Sequence, residues 1–167
     1  MRYAPAALAL SLLVAVTASV GYPAERAPNP AAVQLERQGQ QQLAAGKVEE
    51  AIDTFESALA VDPSFSDLYL RLGEAARQQG LQGKAIHYYR EALTRDPANV
   101  AAVAGEGEAL LEKGAVEKAR RNLAQLQSLC GANCPQAKEL AAAIERGPRG
   151  TVMTAEAVTP TTAVTQK

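Results

Sequence analysis

The sequence predicts an all-α fold: a linear array of helix pairs closed by one further helix. Two observations predict it. The first is a fixed step. Gly39, Gly73 and Gly107 are 34 residues apart, and the same step links Gly46, Gly80 and Gly114, then Ala51, Ala85 and Ala119. Phe55, Tyr89 and Leu123 keep it, as do Ala58, Ala92 and Leu126, and Asp62-Pro63 recurs as Asp96-Pro97. A constant period of this length marks helix–turn–helix repeats, and chance is a poor explanation for six coincident series. The second is composition. Aromatic residues are only 4% of the chain and Trp is absent, so alanine carries much of the apolar count. Chains rich in Ala, Gln and Glu favour helix over strand.

Taken in order, residues 1–21 read as a signal peptide. Arg2 is the only charge before Glu25, and Ala4 to Val20 is apolar or small, with Val16-Thr17-Ala18 as a cleavage signal and Ser19-Val20-Gly21 as a second. The stretch is short for a spanning helix, which needs roughly 20 apolar residues. The alternative is an uncleaved N-terminal anchor, the one route by which the chain would meet a membrane. Residues 22–30 carry three prolines and read as a linker. The helical domain is expected over 31–146, with repeats at 32–65, 66–99 and 100–133 and a capping helix at 135–146. Its helices are predicted near 31–45, 48–60, 66–79, 82–94, 100–113, 116–129 and 135–146. After Gly147 the residues turn to Thr, Val, Ala and Pro without helical period, so 147–167 reads as a disordered tail.

Each recurring residue has a physical task. The first glycine of each unit falls mid-helix, where it costs about 1 kcal/mol against Ala. That is tolerable if a neighbouring helix comes close there. The second glycine suits the left-handed turn that ends a helix. The recurring Ala admits close packing, and the large residue four positions on fills the space beside it. Asp-Pro stops a unit, since Pro disfavours helix in the residue before it.

These residues resemble the tetratricopeptide repeat family. The first unit matches it at Leu35, Gly39, Ala51, Phe55, Ala58 and Pro63, and the second at Tyr69, Leu72, Gly73, Ala85, Tyr89, Ala92 and Pro97. The third is weaker, with Val103, Gly107, Leu110, Ala119 and Leu123; Leu126 stands where the family has Ala, and Gly131 where it has its closing Pro. The family's usual Trp is replaced by Leu35, Tyr69 and Val103. The resemblance spans residues 32 to about 131. It implies a right-handed superhelical array of three helix pairs with the first helix of each pair lining a concave groove. On that geometry Val33, Glu36, Gln40 and Leu43 face the groove in the first unit, Asp67, Leu70, Glu74 and Arg77 in the second, and Ala101, Ala104, Glu108 and Leu111 in the third. Chaperone-binding members use Lys, Arg and Asn here to clamp a carboxylate terminus. This sequence offers Glu36, Gln40, Glu74 and Glu108 with Arg77 as the lone base, which excludes that clamp and suits a neutral or basic segment with a few apolar anchors.

Candidates for chemistry are few. Cys130 and Cys134, the only cysteines, fall between the last repeat helix and the cap. Their spacing is not the Cys-x-x-Cys of thioredoxin-like centres, and export would favour a small structural disulfide. A redox-responsive pair is the alternative. A metal site needs about four ligands and the single His87 is distant, so neither metal nor cofactor is expected. His87 reads as a partly exposed helix residue. Glu49, Glu50, Glu74, Glu106, Glu108, Glu112 and Glu117 read as helix-surface charges, none isolated for acid–base work. No glycine cluster follows a strand to cradle phosphate. The formal net charge of −1, without a basic stripe, excludes nucleic acid. The sequence therefore predicts a non-enzymatic interaction scaffold or assembly factor of the bacterial envelope, periplasmic or secreted, with protein or peptide partners. The alternative is a redox-responsive envelope protein using the Cys130/Cys134 pair.

Overall fold

The computed structural model describes residues 27–148; the expected signal segment and most of the expected tail lie outside them. Seven helices make up the described residues: α1 Pro30–Ala44, α2 Val48–Val61, α3 Asp67–Gln78, α4 Gln82–Arg95, α5 Val100–Glu112, α6 Val116–Cys130 and α7 Pro135–Arg146. Each lies within one residue of its expected bounds at either end.

Local chemistry sets the boundaries. Asn29 opens α1, its Oδ1 accepting from the Ala31 amide at 2.9 Å, and Pro30 follows where no amide is needed. Asn99 opens α5 in the same way through the Ala102 amide. Gly46, at φ 75°, ends α1: its amide donates to Leu43 O at 3.0 Å while the Lys47 amide reaches back to Gln42 O at 2.9 Å. This paired closure satisfies carbonyls the helix would otherwise leave open. It recurs after α3 through Leu81 to Ala76 O and after α5 through Ala115 to Leu110 O.

Helices pair in sequence as α1 with α2, α3 with α4 and α5 with α6. Between units, α1 approaches α3, α3 approaches α5 and α5 approaches α7, whereas the backbones of α2 and α4 stay apart, as do those of α4 and α6. A layer whose members approach one another, beside a layer whose members splay, must curve toward the first. The inner, concave layer is thus α1, α3, α5 and α7. The helix expected as a cap, α7, continues the inner layer beside α5.

The core explains the glycines. The Phe55 ring occupies the space a Cβ at Gly39 would need. Tyr89, only 1% exposed, lies between Gly73 and Gly105 in the same manner. The third unit departs from the pattern. Leu123 does not fill the slot at Gly107; Leu140 of α7 and Asn122 do, at 2.6 and 3.2 Å from the Cβ position. Leu126, where the family has Ala, is fully buried with Val103, Ala137 and Leu140. One carboxylate also departs from expectation. Glu106 is buried, not a surface charge: Arg90 Nε donates to it at 2.7 Å and Asn122 Nδ2 at 3.1 Å. No helix among the described residues is long and apolar enough to cross a membrane.

Candidate functional site

The inner layer carries two arginine clamps, both rooted in α3. Arg71 Nε donates to Glu36 Oε1 of α1 at 3.3 Å, and its Nη1 to Glu74 Oε2 at 3.1 Å. Gln40 Nε2 adds a second donor to Glu36 Oε1 at 2.6 Å. Six residues along α3, Arg77 reaches the other way: Nη2 donates to Glu112 Oε1 of α5 at 2.7 Å and Nη1 to Glu108 Oε2 at 2.5 Å. Nε of Arg77 also donates to Glu112 Oε2, completing a bidentate contact. Burial by itself would lower the Arg77 guanidinium. Its hydrogen bond to Glu112 and the charges of Glu108 and Glu112 outweigh that and hold it above its ordinary value. Beneath it sits Tyr89, whose phenol burial pushes up to about 12, with Arg77 opposing the rise.

A cleft of about 460 Å³ opens beside the second clamp. Its floor is Leu111, Ala142 and Ala143, and its walls carry Arg77, Glu108 and Glu112 on one side and Lys138, Glu139 and Arg146 on the other. Three bases and three acids leave the cleft without net formal charge. A volume of this size with an apolar floor and a few polar walls suits a peptide side chain or two.

Of the groove positions read from the sequence, Glu36, Gln40, Glu74, Arg77 and Glu108 join the clamps, and Leu111 forms the cleft floor while itself only 4% exposed. Val33 and Leu43 pack against the core around Phe55, and Leu70 against the core around Tyr89. Asp67 and Ala101 are exposed. Ala104 is not available to a ligand: it is buried in the cluster with Ala137 and Leu140, because α7 covers it. The acids are not a free negative surface either, and Arg77 is not the lone base. Arg71 lies one position beyond the expected Leu70, and its long side chain reaches the inner face. Lys138, Ala142 and Arg146 stand one 34-residue step after Ala104, Glu108 and Glu112, so extending the period would have found the α7 wall.

Cys130 closes α6 and Cys134 opens α7, with Cα atoms 5.8 Å apart, the two sulfurs adjacent and Gly131 turning the chain between them. That spacing is within disulfide reach. His87 is exposed, beside the Tyr88 ring. Among the described residues no cluster of His, Cys, Asp and Glu could hold a metal ion.

Tetratricopeptide repeat profiles match residues 36–100 and 83–144, which together reach well past half the chain. Among solved structures, the Yersinia enterocolitica type III secretion chaperone SycD, in complex with a peptide of the translocator YopD, is 30% identical. It superposes with a TM-score of 0.60 over 68% of this chain and 86% of that one. The second TPR domain of human RPAP3, solved with an HSP70 peptide, gives a TM-score of 0.64 at 21% identity, over 71% of this chain and 98% of that one. The Arabidopsis thaliana CTR9 homolog is 36% identical over 73 residues, 44% of this chain, and the chain spans only 7% of that protein's length. The period, the paired helices with their glycine-seated rings and these matches lead to one conclusion: the chain belongs to the tetratricopeptide repeat family.

Proposed function

We propose that this chain is a non-enzymatic protein-interaction scaffold or assembly factor of the bacterial cell envelope, holding a peptide or partner helix along its inner layer. The observation that carries the reading is the cleft between Arg77, Glu108 and Leu111 on one side and α7 on the other. It is apolar at the floor and charged at the walls, which lets apolar anchors fix affinity and the walls fix register. Structural relatives solved with peptides support it, SycD with one from YopD and RPAP3 with one from HSP70. The envelope assignment, periplasmic or secreted, rests on Arg2 and the apolar stretch from Ala4 to Val20.

The test is cross-linking of the full chain in an envelope fraction, with the linked residues mapped by mass spectrometry. Partner links should fall on α3, α5 and α7, and Glu74→Lys with Glu108→Lys should abolish them. Links confined to α2, α4 and α6, or a partner set indifferent to both substitutions, would sink the reading.

A second reading has its own observation. The Cys130/Cys134 pair sits on the turn that places α7, and α7 is one wall of the cleft. A redox-responsive protein would gain and lose partners with reductant; a structural disulfide would not.

A further inference from the structure

We propose that the gap between α4 and α6, on the outer layer and away from the cleft, is a second docking site, one that takes an acidic, Glu- or Asp-bearing segment of a partner protein. Arg90, Lys113 and Lys118 grip its carboxylates, and the buried Glu106 is the positioning residue that aims Arg90.

The splayed outer layer opens the gap. The backbones of α4 and α6 stay apart, and a pocket of about 320 Å³ lies between them. Ile86, Leu110 and Ala115 give it an apolar lining, while its charged residues are Arg90, Lys113 and Lys118, with no acid among them. Lys113 reaches across from the α5–α6 turn, its Nζ 3.8 Å from where a Cβ at Gly83 of α4 would stand. Among the described residues neither lysine forms a salt bridge, nor does Arg121, one turn beyond Lys118 on α6. Arg90 is oriented from beneath. Its Nε donates to Glu106 Oε1 at 2.7 Å, and Asn122 Nδ2 holds the other carboxylate oxygen at 3.1 Å. The side chain stays 58% exposed, and its Nη groups, with no partner among the described residues, are left for an oxyanion.

The repeat does not impose this arrangement. One 34-residue step earlier, Arg90, Lys113 and Lys118 become Glu56, Gln79 and Lys84. There Tyr88 packs against both neighbouring cores and its hydroxyl donates to Glu56 at 3.5 Å, while Gln79 Nε2 donates to Glu49. The same step from Tyr88 gives Asn122, which turns inward to Glu106 and Val103 O. The gap between α2 and α4 is thus filled and of mixed charge, whereas that between α4 and α6 is open and cationic. Lysine and arginine offer only donors, so the ligand must bring acceptors and negative charge. The apolar lining asks for a side chain beside the carboxylate, which a bare phosphate lacks.

The experiment titrates the full chain into a short fluorescein-labelled peptide carrying Glu and Leu in alternation, read by fluorescence anisotropy. Lys113→Glu with Lys118→Glu, both exposed, should weaken binding by about tenfold or more. Arg37→Glu with Lys47→Glu, exposed bases of the first unit, changes net charge equally and should leave binding near the wild-type value. Glu106→Leu should weaken binding while the melting temperature is kept. It should cost nothing further on top of Arg90→Gln, because the carboxylate acts through that guanidinium. Four results would overturn the proposal: no loss from the Lys113 and Lys118 reversals, equal loss from both pairs, displacement of the peptide by inorganic phosphate at matched ionic strength, or phosphatidylglycerol vesicles bound through these lysines in place of the peptide. Glu74→Lys and Glu108→Lys leave this site untouched, so it and the inner-layer reading fail separately.

Discussion

The ring of Tyr89 sits where a side chain at Gly73 would have to go: a Cβ there would lie 2.7 Å from Cε1. In an unhindered helix, Ala in place of Gly gains about 1 kcal/mol. At position 73 the gain should be overturned, because overfilling a packed site costs typically 1–3 kcal/mol. Gly73→Ala is expected to lower the denaturant midpoint. Truncating the ring should relieve the clash, so Gly73→Ala with Tyr89→Leu should lose less than the two single losses added together.

Gly83 is the matching test of sign. It too is helical, in α4, but it is exposed and a Cβ there meets only Lys113 Nζ at 3.8 Å. Gly83→Ala should therefore stabilise, by up to about 1 kcal/mol. If both glycines responded alike, the ring-seating account of the recurring glycine would fail.

Tyr89 also gives an alkaline signature. Its phenol is raised from 10 to about 12, by burial first, with Arg77 opposing and Glu74 and Glu108 adding to the rise. A raised folded-state value means the contribution is complete below pH 10 and is lost as pH climbs through about 12. Between those limits the unfolded chain releases a proton that the folded chain keeps. Thermal melts across that window should fall more steeply in the wild-type chain than in Tyr89→Phe, which removes this group and leaves the lysines.

What the sequence made legible was the local part of each repeat. Phe55 and Tyr89 keep a 34-residue step because each must seat against a glycine of its own unit, and that demand repeats with the backbone. The third unit was not legible in the same way. Its glycine at 107 is filled by Leu140, a long-range contact the period of the first two units does not specify. Arg71 is not legible as a groove residue because its Cβ lies off the inner face, while its guanidinium acts several ångströms away. Glu106 looks like surface charge by type alone. The step to Leu72 before it and Leu140 after it, both buried, was the signal that it occupies a core position.

Glu106 thus stands at a position that takes Leu in the units on either side. Replacing a buried ion pair by well-packed apolar side chains is often neutral or stabilising, whereas removing one partner strands the other. Glu106→Leu matches its equivalents at 72 and 140 and leaves Asn122 Nδ2 its bond to Val103 O. It should be near neutral in urea titration. Arg90→Ala should be worse than Glu106→Leu even though Arg90 is the more exposed residue, at 58% against 10% for the side chains, because it leaves a buried carboxylate with Asn122 alone. A Glu106→Leu loss larger than that of Arg90→Ala would mean the carboxylate has a task of its own.

The cysteine turn can be tested through the helix it places. If Cys130 and Cys134 are joined, thiol-reactive label should enter only after reduction, at two sites. A disulfide closing so short a loop contributes on the order of 2 kcal/mol, through the unfolded chain. Cys130→Ser with Cys134→Ser should therefore lower the melting temperature modestly without abolishing folding, since Ala137 and Leu140 still bury against α5 and α6. The loss should be local. Amide exchange should quicken in α7 and at Glu108–Glu112 of α5, across the cleft, while α1 to α4 keep their protection. Uniform loss across all seven helices would mean the turn supports the whole array, and no change in α7 would mean the helix is held by its apolar face alone.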